Sequence, residues 1–462
     1  MGSERHLRTG VWYGDLPLEL DFPREWDVRF LWPRTPPPLT DQQIREALEH
    51  PVGQPPLREL CRGKSRPLIL VDDLNRPTPV FRILPFVLQQ FEDAGIPSRN
   101  VTILMAGGSH SLSPGNAIHK KVGPLAAASC RLVVHDPKRR AVKVGRTSFG
   151  TPVLVNPEVA ASDFVIGIGG LYPNSTAGFG GGTKIALGAL QLAAISYLHH
   201  RHRGAGRGAF AIEGSFRQDL NEITRMIGLR SAITMQVNAV REVVRVASGD
   251  PLQYYAQEEA FAREVYRAPF PDEADVVISN VFPGDLSFTM VWMKGIAPVR
   301  RCPVTASRIV IASCTEGMGS HGIYPVVKPP RFHARRDHLR RLRVMGIEEI
   351  SRKIANRLSR IVKGGPNGAS RGEAEPEPPE WRNPIWLYRP GNQPEKLPPI
   401  MRGIQIRESW PEIVSRVQNE QGHRDGLRVF FYACAPLQYL ERFDDKRTDS
   451  SGAGDYEHAK SE

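Results

Sequence analysis

Short apolar, β-branched runs alternate with longer amphipathic stretches over much of this chain. PLILV from Pro67, VTILMA from Val101, CRLVV from Cys130 and DFVIGIG from Asp163 have strand length. FRILPFVLQQFEDAG, from Phe81, carries apolar residues at helical spacing between the first two. Strands separated by helices predict βαβ units and a parallel sheet. A second series, ADVVISN from Ala274, SRIVIASC from Ser307 and GLRVFFYA from Gly426, predicts another sheet of the same kind. The expected fold class is therefore α/β: two Rossmann-like parallel-sheet domains, residues 1–268 and 269–440, with the active site in the cleft between them.

Punctuation refines this outline. DQQIREALEHP predicts a short helix capped by Asp41 and stopped by Pro51. ALGALQLAAISYLHHRHR, from Ala186, predicts one continuous helix ending in His199, His200 and His202. The segment from Gly364 to Pro399 is rich in proline and polar residues and reads as an extended insertion without packed elements. The tail, 441–462, is expected to be disordered.

Composition narrows the function classes. With 462 residues, 40% hydrophobic and 24% charged, the chain can bury a sizeable interior. No apolar run approaches membrane-spanning length and the N-terminus has no signal-peptide core, so a cytoplasmic protein without a membrane partner is expected. The five cysteines are scattered and never form a CxxC pair, which predicts buried thiols. A formal charge of +12 would suit nucleic acid, but the arginines are dispersed and no RNA-binding aromatic motif accompanies the basic run at 199–203 or the charged helix predicted from Arg331. A solvated basic surface that attracts carboxylates is the expectation, with no nucleic-acid partner.

Candidate chemistry gathers at strand ends. PLILV runs into Asp72, Asp73, Asn75 and Arg76; VTILMA into His110; CRLVV into His135 and Asp136; DFVIGIGG into LYPNSTAGFGGGTK. Ligands of open α/β sheets bind at the carboxyl ends of strands, so four loaded ends imply one shared pocket. GFGGGTK is no magnesium-nucleotide P-loop, because no glycine precedes Lys184 and no Ser or Thr follows it. Two readings stay open: a backbone cradle for a phosphate or planar ring, or a ligand-free turn. The histidines after the predicted helix suit its dipole as caps, and as metal ligands they need partners from elsewhere.

Taken together, ALEHPVGQPPLREL, DDLNRPTP, GGSHS, PNSTAGFGGGTK, the following histidines, FPGD and the KG of WMKG resemble the nickel-dependent lactate racemase family, from about Thr9 to about Gly322. The resemblance implies nickel and a pyridinium-3,5-bisthiocarboxylic acid mononucleotide covalently joined to Lys184, with Gly181, Gly182 and Asp73 at the cofactor and His200, or its neighbour His199, on the metal. It implies a racemase or epimerase of a 2-hydroxy acid working by reversible hydride transfer from the alpha carbon. His110 would be the base, and Arg76 and Lys294 would contact the substrate; enzymes of cofactor synthesis and nickel insertion would be partners. The family's second catalytic histidine corresponds to Asn174, an amide that accepts no proton near neutral pH. Further departures are Asn75 for a threonine, Ser111 for an arginine and Val291 for a glutamine. His135, a histidine after the helix or a water would have to replace the missing base. Without one, a one-sided oxidoreductase, or a non-catalytic cofactor- or phosphate-binding protein, are the alternatives.

Overall fold

A computed structural model describes residues 6–110, 117–174, 176–202, 214–324, 326, 383–391, 393 and 395–441. The expected α/β architecture is present as two large sheets. The first has six strands in the order Val243–Gly249, Leu229–Val237, Phe164–Gly170, Pro67–Asp72, Thr102–Ala106, Arg131–Val134, all parallel except the first, which is antiparallel to its neighbour. Numbered along the chain this order is 6-5-4-1-2-3, that of a doubly wound nucleotide-binding sheet. Its direction reverses between Pro67–Asp72 and Phe164–Gly170, which places the expected crevice at the carboxyl ends of those two strands.

Alternation along each strand serves both faces. Ile69, Val71, Ile103, Met105, Ile166 and Ile168 join a core with Leu84, Val87 and Phe91 of the helix Leu84–Asp93. Leu68, Leu70, Leu104 and Val165 pack oppositely against Ala186, Ile195, Leu198 and Leu220. Sheets covered on both sides are built from near-continuous apolar runs, as these are.

The second sheet runs Ile400–Met401, Ile404–Arg407, Ile385–Tyr388, Ser307–Ile311, Val276–Asn280, Leu427–Tyr432, Trp26–Leu31. Two of these positions correct the sequence expectation. Ile385–Tyr388 lies parallel between Ser307–Ile311 and Ile404–Arg407, so this part of the proline-rich segment is an internal strand. The apolar run IWLY between Pro384 and Pro390 is long enough to fill a ladder position, and its polar surroundings hid it; 364–382, the helix expected from Arg331 and the tail beyond 441 lie outside the described residues. Trp26–Leu31 pairs with Leu427–Tyr432, so the chain begins in the second sheet before building the first, and division at residue 268 does not follow sheet membership there.

Local corrections have equally local causes. Thr40, not Asp41, caps the helix Asp41–Glu49, because Thr40 and Gln43 exchange side-chain to backbone hydrogen bonds in a capping box. The helix expected from Ala186 begins only at Leu192. Before it, Gly182–Ala189 winds in tighter 3-10 turns, and the Gly188 and Ala189 carbonyls accept from Gly108 and Asn156 instead of continuing a helical ladder. A Cβ on Gly188 would stand 2.3 Å from the Ala106 carbonyl oxygen, so only glycine permits this approach. Cys61, Cys314 and Cys434 are buried and Cys130 and Cys302 half-buried, all as free thiols. Among the described residues no helix is long and apolar enough to cross a membrane.

The switch point is held by Asp72. One of its oxygens accepts from Thr78 Oγ1 (2.6 Å) and the Gly170 amide (2.9 Å), and the other pairs with Lys121 Nζ at 2.6 Å. Lys121 is fully buried and also donates to the Arg76 and Thr78 carbonyls. Removing one partner of such a pair strands a buried charge. Lys121→Met should therefore destabilise the protein by about 3 to 5 kcal/mol in urea unfolding, and adding Asp72→Asn should recover part of the loss.

Candidate active site

Between the sheets lies a cavity of about 1440 Å³. Its walls come from the strand ends of the first sheet, from the glycine-rich segment, and from Met290–Lys294, His321–Tyr324 and Ala435–Glu441 of the second. Asp73, Arg76, His110, Asn174, Gly181, Gly182, Lys184, His199, His200 and Lys294 all line it. Residues spread over more than two hundred positions are thus brought to one space.

Asp73 and His110 form a pair. His110 Nδ1 lies 2.8 Å from Asp73 Oδ2, which also accepts from Asn75 Nδ2 at 2.6 Å. Burial opposes ionisation of Asp73, but the facing His110, together with Arg76 and Asn75, pulls its pKa down to about 2. A permanently ionised acceptor fixes the proton on Nδ1 and leaves Nε2 with its lone pair available. Burial also lowers the His110 pKa, against the pull of Asp73 and with help from Arg76 and Lys184, so its resting form is the neutral base. Asp73, expected at a cofactor, is engaged in orienting this imidazole.

The glycine-rich segment is rigidly seated. Gly181 and Gly182 have φ of 70° and 53°, and a Cβ on Gly182 would meet the Tyr255 ring at 2.6 Å. Arg217, buried on the helix Ser215–Met226, donates to the Phe179 carbonyl at 2.7 Å and lies over the Tyr255 ring. The Tyr255 hydroxyl donates to the Phe179 and Gly180 carbonyls. Lys184 follows, and no carboxylate forms an ion pair with it among the described residues. Burial, then Arg76 and Arg217, push its pKa down to about 7. Lys294 is lowered well below the usual lysine range by burial and by Arg76 and Lys184, and its Nζ donates to the Pro173 carbonyl at 3.0 Å. The cleft thus concentrates cationic side chains whose mutual repulsion an anionic ligand would relieve.

The three histidines at the helix end have different settings. His202 is buried against Asp219 and Ser215, at 2.8 and 2.9 Å, and ties this helix to the one carrying Arg217. His199 and His200 both hold the carbonyl four residues back through Nδ1, and among the described residues Nε2 of each has no hydrogen-bond partner. His199 is the more buried; burial, with Lys184 and the other two histidines adding repulsion, pushes its pKa down to about 4. His200 is exposed. Among the described residues no three His, Cys, Asp or Glu side chains converge as a metal site.

Other expected residues are occupied structurally. Asn174 Oδ1 accepts from the Thr176 and Ala177 amides in a tight turn. His135 is buried outside the cleft, between the Leu190 carbonyl and Asn156, and cannot replace a base there. Val291 turns into the core of the second sheet. Ser111 lies outside the described residues. Asp285, of FPGD, is fully buried and accepts from Thr9, Gly10, Val11 and Ser313, stapling the N-terminal segment to the second sheet.

Sequence reasoning missed Ser109, Arg217 and His321. His321 stands beside His110 with ring centroids 5.4 Å apart, and its Nε2 is 3.2 Å from Ser109 Oγ. The available signal was a repeated tripeptide, GSH at 108–110 and again at 319–321, whose members pair as an isolated bridge.

This chain is similar to several known proteins. Residues 13–208 match the family model described as lactate racemase N-terminal domain. The lactate racemase of Lactiplantibacillus plantarum is 25% identical over 298 residues, covering 62% of this chain and 69% of the relative. That of Thermoanaerobacterium thermosaccharolyticum is 23% identical over 290 residues, covering 61% and 67%. In fold, the structure of the lactate racemase apoprotein from Thermoanaerobacterium thermosaccharolyticum superposes with a TM-score of 0.65 at 18% identity over 95% of this chain and 100% of that one. A Thermotoga maritima protein gives 0.52 at 15% identity over 88% and 100%.

With its pKa near 7, Lys184 should be protonated and inert below that pH and a free nucleophile above it. Limited labelling with an amine-reactive reagent, read by peptide mass spectrometry, should modify Lys184 ahead of surface lysines at neutral pH, with reactivity rising through about pH 7; Arg217→Met should shift that rise upward.

Proposed function

We propose that this chain, whose residues 13–208 match the lactate racemase N-terminal domain, is a racemase-like enzyme acting on a 2-hydroxy acid, with a nickel-pincer mononucleotide joined to Lys184. The observation that carries this reading is the Asp73–His110 pair, whose free Nε2 faces a cleft lined by Arg76, Lys184 and Lys294. The residues suit such a group. A buried amine with a depressed pKa and no ion-pair partner among the described residues is reactive toward a carboxyl-derived substituent, and the surrounding cations match a phosphate. For nickel, the half-buried His199, near enough to Lys184 to feel its charge, is better placed than the exposed His200, and its neutral Nε2 has no hydrogen-bond partner among the described residues.

When bound, the nickel-pincer group supplies the acceptor and donor of hydride. The protein's own residues do the rest. Arg76 and Lys294 hold the substrate carboxylate by charge-assisted hydrogen bonds. His110 Nε2 receives the C2 hydroxyl proton, and Asp73 stabilises the imidazolium through Nδ1–H; the proton returns when the hydroxyl re-forms. Desolvation of these side chains within the cleft strengthens each of these contacts.

One observation favours a one-sided oxidoreductase as the second reading. Asn174 cannot accept a proton and its oxygen is committed to its own turn, so proton transfer from a second face has no side chain assigned to it.

Metal analysis and intact mass of protein co-expressed with the cofactor-producing enzymes should show stoichiometric nickel and an adduct on Lys184, both lost in Lys184→Ala. Nickel binding should fall more in His199→Ala than in His200→Ala. With loaded enzyme, His110→Asn should lower kcat by about a hundredfold or more. Interconversion of D and L hydroxy acid supports the racemase; release of keto acid alone supports the second reading, and neither product from nickel-loaded protein defeats both.

A further inference from the structure

The His321 ring is fixed in one protonation state by the backbone. Its Nδ1 accepts from two amides, Ile323 at 3.1 Å and Tyr324 at 3.0 Å, so a proton there would collide with both donors. The neutral ring must then carry its hydrogen on Nε2, and the atom facing Nε2 is Ser109 Oγ. Ser109 therefore accepts from His321, and its own hydroxyl hydrogen needs another acceptor. Among the described residues none is present, although Ser109 is only 8% exposed and lines the cleft beside His110. The arrangement is held from both sides, because the Gly322 amide donates to the Ser109 carbonyl at 2.6 Å.

We infer that Ser109, polarised by a backbone-locked neutral His321, is a hydrogen-bond donor to the C2 oxygen of the substrate. The inference rests on the 2-hydroxy-acid reading of the cleft and deepens it. Ser109 offers a donor and the adjoining His110 Nε2 an acceptor. A C2 hydroxyl satisfies both, donating to His110 and accepting from Ser109. After its proton has passed to His110, the carbonyl oxygen accepts from both. The pair thereby selects acids that carry oxygen on the alpha carbon and stabilises negative charge building on that oxygen. His321 acts through Ser109 and is a positioning residue. Burial, and then its cationic and histidine neighbours, push its pKa down to about 2, in keeping with a ring that stays neutral.

Titrations of the full-length protein with pyruvate and with propionate, which has the carboxylate but no C2 oxygen, test the assignment. Long-range 15N spectra of the histidines report the tautomers in the same samples. Wild-type protein should bind pyruvate about tenfold more tightly than propionate. Ser109→Ala should erase that margin with propionate affinity unchanged, and Ser109→Thr should keep most of it. His321 should show its proton on Nε2 and should not titrate between about pH 5 and about pH 8. A margin that survives Ser109→Ala, an equal loss for both acids, or a His321 protonated on Nδ1 overturns the inference while leaving the reading of the cleft in place. A wild-type protein with no preference for pyruvate overturns that reading, and the inference with it.

Discussion

A carboxylate buried at the carboxyl end of a central strand has to be neutralised on the spot, and the architecture of the cleft follows from how Asp72 meets that demand. Lys121 reaches it from the helical segment Ala117–Ser129, while the Gly170 amide reaches it from the next strand across the switch point. Lys121 then spends its remaining donors on the carbonyls of Arg76 and Thr78. One buried ion pair thus fixes the strand ends and the loop between Asp72 and Thr78. Asp73 and Arg76 inherit their direction from it. Such a pair is weak evidence for stability, because desolvating two charges offsets most of their attraction. Its value here is positional.

The same low-dielectric setting decides the chemistry. Lys184 and Lys294 are reached by no carboxylate that forms an ion pair with them among the described residues, and Arg76 stands near both. Burial lowers both lysines, and each cation lowers the next. Cationic groups gathered without matching ion pairs mark a candidate ligand site, since perturbed ionisable groups cluster at functional sites. Asp73 is the exception, and its partner is the imidazole it orients. Under the proposed function, anion binding and proton acceptance would fall to different residues of one wall.

Much of the fold was legible in the chain. The apolar runs from Pro67, Val101, Cys130, Asp163, Ala274, Ser307 and Gly426 all became strands, because doubly covered parallel sheets require continuous apolar segments. Errors fell where composition masks pattern. IWLY is a strand inside a proline-rich stretch, and the segment after Lys184 has helical periodicity but gives its carbonyls to neighbouring loops. Within the site, Asp73, Arg76, His110, Lys184 and Lys294 were legible from strand-end position and motif. Arg217 was not, because a lone arginine on an amphipathic helix carries no pattern of its own, and His321 was marked only by the repeated GSH tripeptide, which says nothing of the contact between its two copies.

By itself, the sequence determined which residues could form strands and helices, that these segments alternate as α/β units, and which reactive residues follow each strand. Those are properties of neighbours along the chain, set by periodicity and by the turn chemistry of glycine and proline. Only the tertiary structure decided that the strand Trp26–Leu31 completes a sheet made mostly from the other end of the chain. It also left His199 half-buried and His200 exposed where both line the cleft, engaged Asn174 in its own turn, and set His321 against Ser109 across 212 positions. These outcomes depend on which buried donors and acceptors must satisfy one another once the two sheets close, and that requirement exists only in the folded chain.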